Sequence, residues 1–268
     1  MRLIFIDRSS QLVNLWERHF KEAAKVGLNF KWFDKPIDFS VQRSPLCEIK
    51  VGDFTGRSAV VSPGNSLGEL GGGLDQVIGE IFSPNWNYHD TSNLLKNKIT
   101  NGYAPPGCVK ALTLPDNAIK SSLAYEKLRS NTIIHCPTMR IPRDIAGLGD
   151  LHSYRQVFDW TWEILRTADE KNHLIKDESD RLGAIILPGL GTGFGKIPSE
   201  VCSKSMIAAA LIFTLDNYTA QEKALFALRY LGEDSTKLNI SSDKIPKTPF
   251  SPEQNSISEL FLGTNTSA

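Results

Sequence analysis

Two glycine-rich segments of the chain have the residue types that bind an anion through the backbone. Residues 62–75 read SPGNSLGELGGGLD, and residues 187–198 read LPGLGTGFGKIP. Glycine has no Cβ, so its N–H group can approach a ligand closely. A helix that begins just after such a loop adds unpaired N–H donors and a favourable dipole. Together the two segments predict a cradle for a phosphate-bearing ligand, although either one alone could be only a tight turn.

The familiar nucleotide-binding motifs do not fit these segments. Neither segment matches G-x-G-x-x-G. The pair Gly195-Lys196 is similar to the end of a Walker A motif, but Leu190 stands where that motif has its first glycine. Ile197 replaces the Ser or Thr that would hold magnesium. The sequence therefore argues against a kinase or a P-loop ATPase.

The elements around the two segments predict a layered α/β domain. Short apolar runs at 3–6, 59–61, 131–136 and 184–187 are typical of strands that are covered on both faces. Apolar residues alternate at 28–32, which predicts a further strand. Helical patterns occupy about 12–23 and 151–168, and another begins near Ser199. Strands that alternate with helices indicate a mixed or parallel sheet, whose ligand would lie at the carboxyl ends of the strands.

Composition argues against several other classes of protein. Lys and Arg together number 30, as do Asp and Glu, whereas proteins that bind nucleic-acid backbones usually have a basic excess. A local basic patch would still be compatible with these counts. No apolar stretch reaches the roughly 20 residues that span a bilayer. The four cysteines form no C-x-x-C pair, which indicates reduced thiols. We therefore expect a cytoplasmic or nuclear protein with no metal, cofactor, nucleic acid or membrane partner.

The order of the motifs resembles the macro domain. Its elements are N-S-x-G…G-G-G-x-D after one strand, I-I-H at the end of the next, and P-x-x-x-T-G-F-G-x-x-P after a third. The motif sequences SPGNS…GGG, IIHCPT and PGLGTG…P…CSKSM are similar to those of a fungal branch of the family, regarded as ADP-ribose 1″-phosphate phosphatases. The resemblance implies a three-layer fold with a central mixed, largely parallel sheet flanked by helices.

The resemblance covers 46–213 and implies a macro domain over 1–232, with a β-α-β extension at 1–40. Residues 233–268 are rich in Ser, Thr, Pro and Asn and predict a disordered tail.

The resemblance also assigns roles to particular residues. Asn65 would bind the distal ribose and assist catalysis, and Asp75 would activate a water or orient the ribose. His135 would lie close to the site as the third catalytic residue, and either Asp75 or His135 would transfer the proton. Phe194 would pack against the distal ribose. The full set of implied ligand-binding residues is Asp53, Gly64, Asn65, Ser66, Gly71, Gly72, Gly73, Gly189, Gly191, Thr192, Gly193, Phe194 and Gly195.

Each of these roles has a plain structural alternative. Asn65 could be a turn residue, and Asp75 could be an acidic residue that the helix dipole favours. His135 could be a hydrogen-bonded core residue, and Phe194 could anchor its loop in the core.

Three positions depart from the family pattern. Ser62 stands where the family usually has the first Asn of N-A-A-N. Asp53, in VGDFT, resembles the Asp of a G-D-I-T motif that accepts a hydrogen bond from the adenine amino group. Its spacing to Asn65 is shorter than the family pattern has, and the segment could be only a turn. Gly79 stands where many mono-ADP-ribosyl hydrolases of the family carry a histidine.

The function that the resemblance implies is removal of the 1″-phosphate from ADP-ribose 1″-phosphate, a by-product of tRNA splicing. The main alternative is a reader that binds ADP-ribose without turnover, and a third is a mono-ADP-ribosyl hydrolase, which Gly79 argues against. In each case we expect a monomer whose partner is a small molecule.

Overall fold

Six strands form one sheet in the computed structural model, which describes residues 1–148, 150–238 and 240–262. The described strands are β1 (Arg2–Asp7), β2 (Lys31–Trp32), β3 (Lys35–Pro36), β4 (Asp38–Arg43), β5 (Arg57–Ser62), β6 (Lys110–Thr113), β7 (Ser130–His135) and β8 (Leu182–Pro188). Their order in the sheet is β4-β1-β8-β5-β7-β6, and β2 pairs only with β3. Every neighbouring pair in the sheet is parallel except β6 with β7.

Helices cover both faces of this sheet. They are α1 (Ser10–Ala24), α2 (Gly73–Phe82), α3 (Tyr88–Lys96), α4 (Asp116–Ile119), α5 (Leu123–Leu128), α6 (Asp150–Leu174), α7 (Ser199–Thr214), α8 (Ala220–Tyr230) and α9 (Ile257–Leu262). Successive strand residues point to opposite faces. Leu3 and Phe5 therefore join one core with α1, α6 and α7, while Ile4 and Ile6 join a second core with α2 and α5. This three-layer arrangement confirms the predicted fold class.

The N-terminal segment is part of the sheet rather than an extension of it. Ser9 caps α1 by accepting a hydrogen bond from the N–H of Leu12. The strand predicted at 28–32 is only the two-residue β2, because Phe33 and Asp34 adopt positive φ and turn the chain back onto β3. The strand that pairs with β1 is β4, and β1 itself lies between β4 and β8.

The predicted disorder over 233–268 differs from what the structure shows for most of that segment. Ile257 and Leu260 of α9 are fully buried, and the Phe261 ring packs against Phe226 of α8 at a centroid distance of 5.2 Å. The Lys204 Nζ of α7 donates to the carbonyl of Pro252 at 2.7 Å. The prediction was wrong because it rested on the polar composition of the whole segment. The few apolar residues in it are enough to pack against the domain. Residues 263–268 lie outside the described residues.

Along the described chain, no helix combines the length and the apolar character that crossing a bilayer requires.

Candidate functional site

A cavity of about 960 Å³ opens at the carboxyl edge of the sheet, where β1, β5 and β8 end. The two glycine-rich segments form opposite walls of this cavity. Its lining includes most of the predicted ligand-binding residues, namely Gly64, Asn65, Gly71, Gly72, Gly73, Gly189, Gly191, Thr192, Gly193 and Phe194, and also Asp75. The parallel strands bring the ends of β5 and β8 to the same edge, which is why loops far apart in sequence meet there.

Ser66 and Gly195 are not among the lining residues, and they hold the walls in place instead. The Ser66 N–H donates to the carbonyl of Met139 at 3.0 Å, and the Gly195 carbonyl accepts from the N–H of Ile145 at 3.1 Å. A Cβ at Gly195 would lie 2.5 Å from the Gly191 carbonyl oxygen, so the loop can close only over a glycine.

Asn65 lines the cavity and also shapes its own loop. Its Oδ1 accepts from the N–H groups of Leu67 at 3.0 Å and Glu69 at 3.4 Å, and its Nδ2 donates to the Glu69 carbonyl at 2.8 Å. An amide has two donor hydrogens, so the second can face a ligand. The turn-residue alternative for Asn65 is therefore present in the structure alongside the lining position.

Two helices begin at the glycine loops without a side-chain cap. The N-cap residues are Gly72 for α2 and Pro198 for α7, and neither makes a side-chain hydrogen bond to its helix. Uncapped first-turn N–H groups are donors that an anionic ligand can satisfy. Phe194 is 59% exposed, and its Cε2 lies 3.6 Å from where a Cβ at Gly72 would sit. Phe194 thus reaches across the cavity towards the first loop, and burial in the core does not account for it.

Asp75, in the first turn of α2, has a carboxyl group suited to accept a proton near neutral pH. Its Oδ1 accepts from the Ser62 hydroxyl at 2.8 Å. Its Oδ2 lies 3.1 Å from the position of a Cβ at Gly64. Burial raises the pKa of Asp75 to about 6, while the hydrogen bond from Ser62 acts in the opposite direction. The helix dipole would also favour the charged form, so desolvation outweighs both.

His135 is fully buried and does not line the cavity. Its Nε2 lies 3.0 Å from the carbonyl oxygen of Asn65, and its Nδ1 lies 3.5 Å from the Ser62 hydroxyl. Burial lowers the pKa of His135 to about 4, so the imidazole is neutral at pH 7. A carbonyl only accepts, so we assign the imidazole proton to Nε2. His135 therefore lies behind the cavity wall, where its Nδ1 faces the same Ser62 hydroxyl as Asp75, and its catalytic role stays a prediction.

Asp53 is at the other end of the sheet, so its predicted place among the ligand-binding residues of this cavity is wrong. Asp53 precedes β5 and lines a second cavity, of about 620 Å³, with Arg2 and Gly183. Residues before and after one strand lie at opposite edges, about 20 Å apart for six residues at ~3.3 Å each.

Asp7 is a further acidic residue at the carboxyl edge of the sheet. It ends β1 and lines the large cavity, and its Oδ2 would lie 3.0 Å from a Cβ at Gly189. Sequence reasoning missed it, although an acidic residue directly after a buried strand was a usable signal.

Lys196 and Ile141 were also missed. Lys196 lines the cavity, and its Nζ lies 3.3 Å from the Asp144 carboxylate. Ile141 is 58% exposed at the same cavity, in the segment that follows β7.

Gly79 does not face the cavity. It lies in α2 against α3, and a Cβ there would be 2.7 Å from the Cβ of Tyr88. The glycine is needed for this helix packing, and a histidine side chain has no room at the position.

Among the described residues, no group of three or more His, Cys, Asp or Glu side chains is placed to hold a metal ion.

Comparisons with known proteins place the chain in a family. An uncharacterised protein of Aquifex aeolicus (strain VF5) is 24% identical over 171 residues, which are 64% of this chain and 79% of that protein. Two solved structures of the Oceanobacillus iheyensis macrodomain, one with MES bound and one with ADP, are each 19% identical, with TM-scores of 0.42 and 0.41. These likenesses cover 60% and 59% of this chain, and 73% and 71% of those chains. The family model described as Macro-like domain matches residues 48–243, well over half of the chain, and the protein therefore belongs to the Macro-like domain family.

Proposed function

We propose that this protein binds ADP-ribose 1″-phosphate in the large cavity and hydrolyses its terminal phosphate, giving ADP-ribose and inorganic phosphate. The observation that carries the proposal is the Asp75 carboxyl at the cavity wall, whose pKa is raised to about 6 by burial. A general base works best when its pKa lies near the working pH. The similarity of the glycine motifs to the fungal phosphatase branch supports the choice of substrate.

The lining suggests how such a nucleotide would lie. The distal ribose and the 1″-phosphate would sit against Gly71, Gly72 and Gly73, where the N-terminus of α2 offers N–H donors to the phosphate oxygens. The diphosphate would follow the loop from Gly191 to Gly195. The adenine would then lie towards β1, where the Asp7 carboxylate can accept from its amino group.

In the reaction, the ionised Asp75 takes a proton from a water molecule as the water oxygen attacks phosphorus. The bond between phosphorus and the 1″-oxygen breaks, and the leaving oxygen receives the proton that Asp75 holds. Backbone donors of the two loops stabilise the charge that develops on the phosphate oxygens. The proposed substrate would place the protein in the cytoplasm or the nucleus.

The test is phosphate release from ADP-ribose 1″-phosphate by the purified chain, with excess EDTA and no added metal. Many turnovers per molecule, lost in Asp75→Asn, are the expected result. No release from a folded protein that still binds ADP-ribose by calorimetry would overturn the phosphatase and leave the reader. No release and no binding would overturn both. Release of ADP-ribose from a modified protein would favour the hydrolase, against which the packing of Gly79 argues.

A further inference from the structure

Ser62 places one hydroxyl proton between two acceptors. It is the last residue of β5 and is fully buried. The parallel pairing of β5 with β7 sets Ser62 directly beside His135. Its hydroxyl lies 2.8 Å from Asp75 Oδ1 and 3.5 Å from His135 Nδ1. Because His135 uses its Nε2 proton on the Asn65 carbonyl, Nδ1 has a free lone pair.

A hydroxyl can donate only one hydrogen bond, so the two acceptors compete for it. A carboxylate is the stronger acceptor, and the shorter distance agrees with donation to the ionised Asp75. A protonated carboxyl is a weak acceptor, and the imidazole nitrogen is then the better one.

We propose that Ser62 is a positioning residue of the reaction, which donates to Asp75 while that carboxyl is ionised and turns to His135 Nδ1 while Asp75 holds the proton. This inference rests on the proposed function, in which Asp75 is the base. The hydroxyl never loses its proton, and the proton taken from water stays on Asp75 until the leaving oxygen receives it. Ser62 thereby keeps a hydrogen-bond acceptor in both states, and a buried donor without a partner is costly.

Other charged groups near α2 have partners of their own. Arg57 of β5 contacts Asp116, Lys96 of α3 pairs with Glu69, and Glu80 of α2 accepts a hydrogen bond from Gln76. Burial and the Ser62 hydrogen bond are the influences on the pKa of Asp75. The remaining titratable side chains on the elements packed against α2 and on the cavity wall are Asp7, Cys47, Glu48, Tyr88, His89, Asp90, Tyr125, Glu126, Lys127 and Lys196.

The experiment is to measure the pKa of Asp75 directly, by carboxyl carbon NMR in the full chain, in three variants. Ser62→Ala removes the donor to the carboxylate and should raise the pKa of Asp75 by about one pH unit. His135→Gln keeps a donor for the Asn65 carbonyl but removes Nδ1, so the protonated state loses its partner and the pKa of Asp75 should fall. Ser58→Ala is the matched control, because this fully buried serine on the same strand donates to the Leu128 carbonyl instead.

An unchanged pKa of Asp75 in Ser62→Ala would overturn the proposal, as would an unchanged value in His135→Gln. The acid limb of kcat/KM against pH should move with the pKa in each variant. The NMR titration needs no turnover, so it tests the role of Ser62 even if the protein proves to be a reader. A loss of folding in Ser62→Ala would show in its melting curve, and His135→Gln would then decide alone.

Discussion

The two ends of the sheet's strands differ in how their charged side chains are partnered. The amino edge, where the strands begin, borders the smaller cavity, and the carboxyl edge, where they end, borders the large one. At the amino edge, the cations around the smaller cavity are paired, Arg2 with Asp38 at 2.7 Å and Lys35 with Glu178 at 3.7 Å. At the carboxyl edge, Asp75 is hydrogen-bonded to a serine, and burial dominates its pKa. Exposed ion pairs add little to stability, and in each pair one charge offsets the field of the other. The comparison distinguishes Asp75, which accepts a hydrogen bond from a neutral hydroxyl, from ion-paired side chains such as Arg2 at the amino edge and Lys196 at the carboxyl edge.

The glycines at the two ends of the strands also differ, in the space that surrounds them. At the amino edge, a Cβ at Gly183 would lie 1.8 Å from the carbonyl oxygen of Thr55, so this glycine allows two backbones to touch. At the carboxyl edge, a Cβ at Gly193 would meet no atom within 4 Å. One glycine allows close packing of two backbones, and the other leaves open space at the cavity.

The largest effect should come from Asp75→Asn. The variant keeps the shape of the side chain but cannot take a proton, so kcat for phosphate release should fall by about 10²–10⁴-fold. Asp38→Asn at the amino edge is the matched control and should leave kcat unchanged. Near-normal turnover by Asp75→Asn would remove it as the base.

The same carboxyl sets the pH dependence. Asp75 acts when ionised, so kcat/KM should be full above its pKa of about 6 and fall about tenfold per unit as the pH drops below it. A rate profile of the intact protein from pH 4.5 to 8 checks this, and a flat profile through pH 6 would contradict the assignment.

The glycine contrast predicts opposite effects of one substitution. Gly183→Ala should destabilise the fold by about 3 kcal/mol, because backbone atoms must move. Gly193→Ala should change stability by less than about 0.5 kcal/mol, while weakening ADP-ribose binding because the methyl group occupies the ligand's space. Thermal unfolding and calorimetric titration of both variants measure the pair of effects. Equal destabilisation by the two would contradict the comparison.

A smaller effect is expected from replacing Asp7, the carboxylate proposed to bind the adenine. Asp7→Asn should weaken ADP-ribose binding by about tenfold, the value of one charge-assisted hydrogen bond. Asp53→Asn, the matched change at the amino edge, should leave the affinity as it was. Weaker binding by Asp53→Asn would instead place the ligand at the amino edge and contradict binding in the large cavity.

The smallest effect concerns two exposed lysines. Lys196→Met should weaken ADP-ribose binding a few-fold, and the loss should shrink in high salt because exposed charges are screened. Lys35→Met at the amino edge should have no effect at any salt concentration. Binding isotherms at two ionic strengths decide between these results.

Much of the fold and half of the site were readable from local sequence. Apolar runs gave four of the sheet's strands, and the glycine loops marked its carboxyl edge. Strand order and register were not readable, because they depend on contacts between distant segments. That is why a local G-D motif pointed to Asp53, while Asp7, outside the 48–243 match, lies in the cavity. The contact of Ser62 with His135 depends on the β5–β7 register in the same way.

The packing of Gly79 against Tyr88 also limits how this domain can change during evolution. A histidine at 79 would collide with α3, so no single substitution can introduce there the residue that many mono-ADP-ribosyl hydrolases carry. At least one compensating change at Tyr88, or a shift of α3, would have to come with it. A lineage that starts from this chain could gain such an activity more directly by changing the exposed residues around the cavity, where new side chains meet solvent rather than another helix.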